Sequence, residues 1–88
     1  MISVEQIQRV VTHIRSSGVT EDTVSALRQH YQPIHFTYCM DDDLPNNTPV
    51  FEDDSFNIYL IDGREHCLCL TTDYTVATGL VVAEITPY

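Results

Sequence analysis

The sequence predicts an α+β domain in which an N-terminal helical hairpin packs on one face of a mostly antiparallel four-stranded sheet, in the order α-α-β-β-β-β. Apolar residues recur at helical spacing in the first third of the chain, and apolar and polar residues alternate after Pro33. The stretch SFNIYLIDGREHCLCLT, residues 55–71, reads as two strands joined by a turn. A chain of 88 residues can bury one modest core but not a core and an enclosed cofactor cavity. We therefore expect a single domain over residues 1–88, with the helical hairpin in 3–32 and the sheet in 33–86.

Capping signals predict where the first helix begins and ends. Ser3 and Gln6 form a capping box that begins the helix at residue 4, and Ile2 with Ile7 can form the accompanying hydrophobic staple. Gly18 is placed to end the helix. One apolar stripe at positions i, i+3, i+4 and i+7 runs along it, formed by Ile7, Val10, Val11 and Ile14.

A second, shorter helix follows directly. Thr20 is its predicted N-cap, and Pro33 forces its end by Gln32. Its inner face is formed by Val24, Leu27 and Tyr31. His13 and His30 have polar neighbours and no second ligand-type residue at helical spacing, so we interpret both as exposed surface histidines.

The register of the hairpin in residues 55–71 decides which side chains share a face. A two-residue Asp62-Gly63 turn pairs Ile61 with Arg64, whereas a three-residue loop with Gly63 as a bulge pairs Leu60 with Arg64. The bulged register gathers more large apolar side chains on one face, namely Phe56, Ile58, Leu60, Leu68 and Leu70, and is the one we predict. It turns Cys67 and Cys69 away from the core, beside Asn57 and Tyr59.

Between the first strand and this hairpin lies a polar, proline-punctuated loop over residues 41–54. The first strand alternates through Ile34, Phe36, Tyr38 and Met40. In the loop, acidic or amide residues occupy positions 1, 3, 7 and 12 of an EF-hand count, at Asp41, Asp43, Asn47 and Glu52. Pro45 occupies position 5, Asn46 replaces the glycine of position 6, and strands rather than helices flank the loop. We interpret the match as coincidence. The alternatives are a looser hard-cation site, or a mobile acidic loop that docks on a basic partner.

The second face of the predicted sheet carries the thiols. It includes His35, Thr37, Cys39, Asn57, Tyr59, Cys67 and Cys69, and an antiparallel sheet can leave such a face to solvent. If the strands are neighbours, His35, Cys39, Cys67 and Cys69 offer ligands to zinc, copper or iron. Against this, the sulfurs of a C-x-C pair on a strand lie roughly 6–7 Å apart, which is awkward for one tetrahedral ion. Structural thiols are the simpler interpretation.

A thiol enzyme is not favoured by the sequence. A nucleophilic cysteine needs a base within reach. His66 adjoins Cys67, but adjacent strand residues point to opposite faces. We therefore expect no enzymatic activity and no bound cofactor.

The net charge of the chain argues against one class of function, nucleic-acid binding, and favours another, protein binding. The formal net charge is −9, there is no lysine, and the four basic residues are all arginines. Nucleic-acid binding requires a basic patch and is not expected. The acidic surface would favour binding to the basic surface of a partner protein. The chain could instead self-associate through another face. The expected function is a non-enzymatic protein–protein interaction module, with soft-metal handling as the alternative; the candidate interaction residues are Asp41, Asp42, Asp43, Glu52, Asp53 and Asp54.

The sequence also suggests a cellular setting. No apolar run is long enough to span a membrane, and the N-terminus lacks the basic and apolar segments of a signal peptide, so we expect a cytoplasmic protein.

Three stretches, IHFTYCMDDD (34–43), FNIYLIDGREHCL (56–68) and ATGLVVAE (77–84), resemble sequence blocks of a family of small uncharacterised bacterial proteins, members of which are found among nitrogen-fixation genes. The resemblance extends over the helical hairpin. It implies a bacterial cytoplasmic context and an accessory role near nitrogenase assembly, and it assigns no role to any residue.

Overall fold

The two N-terminal helices form where their capping signals predict. A computed structural model describes residues 2–44, 46–64 and 69–85, and in it α1 spans Val4–Ser17 and α2 spans Glu21–His30. The capping box is complete, because the Gln6 amide donates to Ser3 Oγ at 3.2 Å and the Ser3 amide donates to Gln6 Oε1 at 2.8 Å. Gly18 ends α1 with a positive φ of 97°, a conformation that glycine adopts without strain. Thr20 caps α2 by accepting from the Thr23 amide at 3.2 Å.

Among the described residues, five strands follow the helices. They are β1 His35–Met40, β2 Phe51–Glu52, β3 Phe56–Asp62, β4 Cys69–Thr71 and β5 Gly79–Glu84, with a single 3₁₀ turn, Asp41–Asp43, directly after β1. The strands lie in the order β1-β5-β3-β2, and β4 pairs with the remaining part of the same β3 edge. All pairs are antiparallel except β1 with β5, which is parallel. The predicted α+β class with a mostly antiparallel sheet is confirmed.

The predicted number of strands is wrong by one. The extra strand, β2, lies within the stretch 41–54 that the sequence analysis treats as loop, where Phe51 pairs with Ile58 and Glu52 pairs with Asn57. A two-residue strand has no alternation to detect. Its pairing is specified by the free edge of β3 and by Phe51, which packs against the main core and stacks on Phe56 with ring centroids 6.4 Å apart.

The predicted bulged hairpin register is also wrong. In the structure Asp62 pairs with Cys69 and Ile61 pairs with Leu70, whereas the bulged register pairs Leu60 with Arg64. Residues 65–68, including Cys67 and Leu68, lie outside the described residues. This register puts Leu70 on the face of Ile61, not on the face of Leu60. Cys69 correspondingly lies on the Leu60 face, opposite to the expectation. The reason is that the second face of the sheet has an apolar cluster of its own, against which Leu70 packs.

The main core lies between the helices and one face of the sheet. It contains the whole predicted stripe of α1 and the inner residues of α2, and from the sheet it takes Phe36, Phe56, Ile58, Leu60, Leu80 and Val82. Ile2 and Ile7, the predicted staple pair, are both buried in this cluster.

Part of the second face is covered rather than open, whereas His35 and Thr37 on β1 are exposed as expected. Tyr59, Ile61, Val81 and Ala83 are buried on it, and Cys39, Leu44 and Leu70 pack against them. Tyr59 is only 3% exposed, which corrects the expectation that this part of the face meets solvent. Leu44 belongs to the segment that follows β1, so the start of the predicted acidic loop folds back across the sheet.

No helix among the described residues is long and apolar enough to cross a membrane.

Candidate functional site

Acidic residues gather at one end of the sheet. Because β1 and β5 are parallel and β3 runs against β5, the last residues of β1 and β5 lie beside the first residue of β3: Met40 pairs with Glu84, and Glu84 pairs with Phe56. β2 ends at the same place, since Glu52 pairs with Asn57. We call this region the acidic end; it consists of Asp41, Asp42, Asp43, Glu52, Asp53, Asp54 and Glu84. The six candidate interaction residues of the sequence analysis are thus brought to one place by the strand order.

Asp41 is an anchor within the fold. Its Oδ1 accepts hydrogen bonds from the Tyr59 hydroxyl at 2.8 Å and from Asn57 Nδ2 at 3.0 Å. Burial raises the pKa of Tyr59, and the hydrogen bond to the Asp41 carboxylate adds to the effect. These bonds hold the 3₁₀ turn against the second face of the sheet. Asp41 is therefore committed to the fold and is poorly placed to meet a partner.

Asp53 is a second anchor, and it joins β2 to α1. Its Oδ1 accepts from Arg15 Nη2 at 2.7 Å and from Arg15 Nε at 3.1 Å. The Arg15 hydrogen bonds lower the pKa of Asp53, and bonds from Ser55 contribute in the same direction. The Arg15 guanidinium also lies over the Phe51 ring, 5.6 Å from its centroid. One arginine thus holds both a residue of β2 and the carboxylate that follows it.

Glu84 has a partner on the neighbouring strand. Its Oε1 accepts a hydrogen bond from the Tyr38 hydroxyl across the β1–β5 pair. This bond, together with burial, raises the pKa of Tyr38 to about 12. Glu84 therefore supports the parallel strand pair.

The other acidic side chains of this region face solvent. Asp42, Asp43, Glu52 and Asp54 are exposed, and none of them forms an ion pair or hydrogen bond with another residue in the described ranges. They differ in this from the anchors Asp41 and Asp53, each of which is adjacent to exposed carboxylates in the sequence. The acidic end thus consists of free carboxylates carried on a framework that internal hydrogen bonds hold in place.

The predicted metal ligands do not come together. His35 and Cys39 are four residues apart on β1, which separates them by about 13 Å along a strand. Cys69 pairs with Asp62, at the opposite end of β3 from the row that contains Cys39. Cys67 lies outside the described residues. Within the described part of the chain, no three His, Cys, Asp or Glu side chains are grouped as a metal site would require.

Cys39 has the environment of a structural thiol. It is half-buried against the cluster on the second face. Burial raises its pKa, and the nearby carboxylates of Asp43 and Asp41 raise it further. The thiolate, which is the reactive and metal-binding form, is therefore disfavoured.

Two histidines that the sequence analysis treats separately are neighbours. The rings of His13 and His30 lie 6.2 Å apart between centroids, and the edge of Tyr31 approaches His30 at 4.7 Å. His30 is exposed, as expected, whereas His13 is half-buried. The contact joins α1 to α2, so helical spacing within either helix could not reveal it; only the packing of the hairpin does.

A surface depression of about 740 Å³ lies beside the start of β1. Its lining includes Arg28, His35, Thr37 and Thr78 together with the apolar residues Ile34, Phe36 and Ile61. No Cys, Asp or Glu belongs to the described lining, so neither a thiol nor a carboxylate is available there.

Comparison with known proteins identifies a family and no characterised relative. No curated protein and no solved structure matches the chain. Residues 10–85 match the model of a family of unknown function, DUF6129. This match covers both helices in large part and the whole sheet, and the chain therefore belongs to the DUF6129 family.

Proposed function

We propose that the protein is a non-enzymatic protein–protein interaction module whose acidic end docks on a basic surface of a partner protein. The observation that carries the proposal is the grouping of four exposed carboxylates, without partners in the described ranges, at the end of the sheet where β1 and β5 finish. Among the ion pairs of the described residues, Arg15 is the arginine that contacts this region, and Asp53 already engages it.

The backbone segments that carry these carboxylates are held in place. Asp41 fixes the turn that carries Asp42 and Asp43, and Asp53 fixes the segment that carries Glu52 and Asp54. A charged surface that needs no reordering loses less conformational entropy when it binds. Such a surface speeds encounter with an oppositely charged partner, and the effect weakens as salt shortens the Debye length, which is about 8 Å at physiological ionic strength.

Two observations favour binding over catalysis. The raised pKa of Cys39 disfavours the thiolate that nucleophilic chemistry requires. The depression beside β1 has no carboxylate or thiol among its described lining residues. Soft-metal handling, the alternative from the sequence, receives no support from the placement of His35, Cys39 and Cys69.

The resemblance of residues 34–43, 56–68 and 77–84 to small bacterial proteins encoded among nitrogen-fixation genes supports an accessory role in that process as the setting of the module. In such a setting we propose that the partner is a protein with an arginine- or lysine-rich surface. The partner is defined here by this chemistry alone.

The experiment compares two variants of equal charge. The first neutralises the exposed carboxylates of the acidic end by Asp42→Asn, Asp43→Asn, Glu52→Gln and Asp54→Asn. The second neutralises four acidic residues elsewhere by Glu5→Gln, Glu21→Gln, Asp22→Asn and Asp73→Asn. Each set changes the formal net charge from −9 to −5, so both variants lose the same charge, and circular dichroism verifies that the second remains folded without the Glu21–Arg28 ion pair and the bonds from Thr75 to Asp73.

Immobilised wild type and both variants are incubated with lysate of the source bacterium at low and at physiological salt, and captured proteins are quantified by mass spectrometry. We expect a basic protein that is captured by wild type and by the second variant, is lost with the first, and is released by salt. Equal capture by both variants, or no captured protein at low salt, would contradict the proposal.

A further inference from the structure

We propose that β1 pairs with β1 of a second copy of the chain, antiparallel and across a twofold axis that passes beside Cys39. β1 is the terminal strand of the sheet, and β5 is its only partner among the described strands. The proposal goes beyond the acidic-end proposal, because it concerns the free edge of β1, which shares only Asp42 and Asp43 with the acidic end, and commits to a second copy as the occupant.

Alternate residues of β1 direct their backbone groups away from the sheet. The His35 amide donates toward β5, to the Thr78 carbonyl at 3.3 Å. In a parallel pair the backbone groups of every second residue point the same way, so Phe36, Tyr38 and Met40 direct theirs to the free edge. Arg28 supports this assignment, because its Nε donates to the Phe36 carbonyl at 3.0 Å from outside the sheet.

Part of this edge has backbone groups that are available to hydrogen-bond with another strand. Arg28 covers the Phe36 carbonyl, but no described residue bonds the outward amide or carbonyl of Tyr38 or the outward amide of Met40. Unpaired groups of this kind on a terminal strand are a template for another strand. An antiparallel register that places Tyr38 of each copy opposite Met40 of the other uses these groups and leaves the Arg28 bond intact.

This register puts Cys39 opposite its own copy. The two residues form a non-hydrogen-bonded pair, in which Cα atoms of antiparallel strands lie about 4.5 Å apart. That separation falls within the range compatible with a disulfide. Disulfide formation between the two copies of Cys39 therefore tests this register directly.

The two ends of β1 carry opposite charge character. Arg28, whose Nη1 also pairs with Glu21 Oε1 at 3.2 Å, lies at its start with His35, whereas the exposed Asp42 and Asp43 follow its end. An antiparallel pair brings the acidic residues of each copy over the basic end of the other, while a parallel pair would place acidic ends side by side. Two copies together carry a formal charge of −18, twice −9, so we expect the pair to form best at or above physiological salt.

Disulfide trapping tests the register. In a Cys67→Ser/Cys69→Ser variant, Cys39 is the sole cysteine. Oxidation with copper phenanthroline at mildly alkaline pH should convert most of this variant to a covalent dimer. The matched control carries Thr37→Cys with all three native cysteines replaced by serine. Residue 37 lies on the same face, but its copies would be about 13 Å apart in this register, so we expect no crosslink.

Sedimentation tests the pairing without a crosslink. Met40 has φ −87°, close to the range of proline, so Met40→Pro removes the outward amide while the β1–β5 ladder stays intact. Met40→Leu keeps the amide. We expect wild type and Met40→Leu to dimerise, and Met40→Pro to raise the dimer dissociation constant at least tenfold, with circular dichroism verifying that the variant folds.

Three results would overturn the proposal: a monomeric wild type at millimolar concentration and physiological salt, equal crosslinking through residues 37 and 39, or an undiminished dimer in folded Met40→Pro. A monomeric wild type would leave the docking of a basic protein at the acidic end untouched. Loss of that docking would equally leave the dimer untouched, so the two proposals fail separately.

Discussion

The hydrogen bond between Tyr59 and Asp41 provides the sharpest test of how the acidic end is built. Tyr59→Phe removes one hydroxyl from a residue that is 3% exposed and leaves the packing of the ring in place. Asp41 keeps its bond from Asn57 Nδ2 at 3.0 Å, so its carboxylate is not left without a donor. The substitution therefore isolates a single bond to a charged acceptor.

The expected loss follows from that geometry. A hydrogen bond to a charged group contributes about 1.5–3 kcal/mol to the free energy of unfolding. We expect the lower limit, about 1.5 kcal/mol, because Asn57 still serves Asp41 and because phenylalanine gains a little from burial. For a domain of this size that loss lowers the Tm by roughly 6–12 °C.

Urea and thermal unfolding measure the change, with Tyr74→Phe as the matched control. The Tyr74 hydroxyl makes no hydrogen bond with the described residues, so its removal should alter the free energy of unfolding by less than about 0.5 kcal/mol. A double-mutant cycle with Asp41→Asn should give a coupling energy of about 1 kcal/mol. If Tyr59→Phe is as stable as Tyr74→Phe, the turn after β1 is not anchored by this bond.

Three further predictions concern the strands around this anchor. Gly79→Ala should lower the free energy of unfolding, measured in urea, by about 1–3 kcal/mol, because a Cβ at this position would lie 2.7 Å from the His35 carbonyl oxygen and push β1 from β5. Unchanged stability would mean that these two strands can move apart at no cost in free energy. The pKa of Tyr38 rises from 10.0 to about 12 on folding, so the stability that its bond to Glu84 provides is complete below pH 10 and is lost as the pH rises toward 12. Urea unfolding over this pH range should therefore show a shallower decline in Tyr38→Phe than in wild type, and parallel declines would refute the assignment. Arg15→Met should reduce the free energy of unfolding by no more than about 1 kcal/mol, as for an exposed ion pair. Amide hydrogen exchange in β2 should become faster in this variant, and unchanged exchange would show that another contact holds the strand.

The helices could be predicted from the sequence because their signals are local. Ser3 and Gln6 cap the same turn that they begin, and the stripe from Ile7 to Ile14 is visible within two turns. Gly18 ends α1 by its own conformational freedom. No contact beyond neighbouring residues was needed to place these boundaries.

The sheet could be predicted only in part, because its order depends on residues far apart in the chain. The parallel pairing of His35 with Gly79 leaves no mark in either strand alone. The β3–β4 register was misjudged because only one face was assumed to need apolar residues. Leu70 in fact packs on the opposite face, with Ile61, so counting apolar side chains for one face gave the wrong alignment.

The candidate site was likewise predictable where its signal is local and not where it depends on distant residues. The acidic residues were identified directly, because charge is visible in composition and their loop is continuous. Which of them are anchors was not visible, since Asp41 is bonded by Tyr59, 18 residues away, and Asp53 by Arg15, 38 residues away. Alternation along β1 placed His35 and Cys39 on one face correctly, but the distance along the strand keeps them from sharing a ligand.

The position of β5 also constrains the order of events during synthesis. β5 lies between β1 and β3, yet it is the last of the five strands to leave the ribosome. Until residue 84 emerges, β1 has no neighbour among the described strands, and α1 and α2 can cover only the part of the sheet that β2, β3 and β4 form. The pairing of His35 with Gly79 closes a loop of more than forty residues. Proteins in which many contacts join residues this far apart in the chain fold more slowly. We expect the nascent chain to remain incompletely folded, and dependent on the solubility that its negative charge provides, until its final strand inserts at the centre of the sheet.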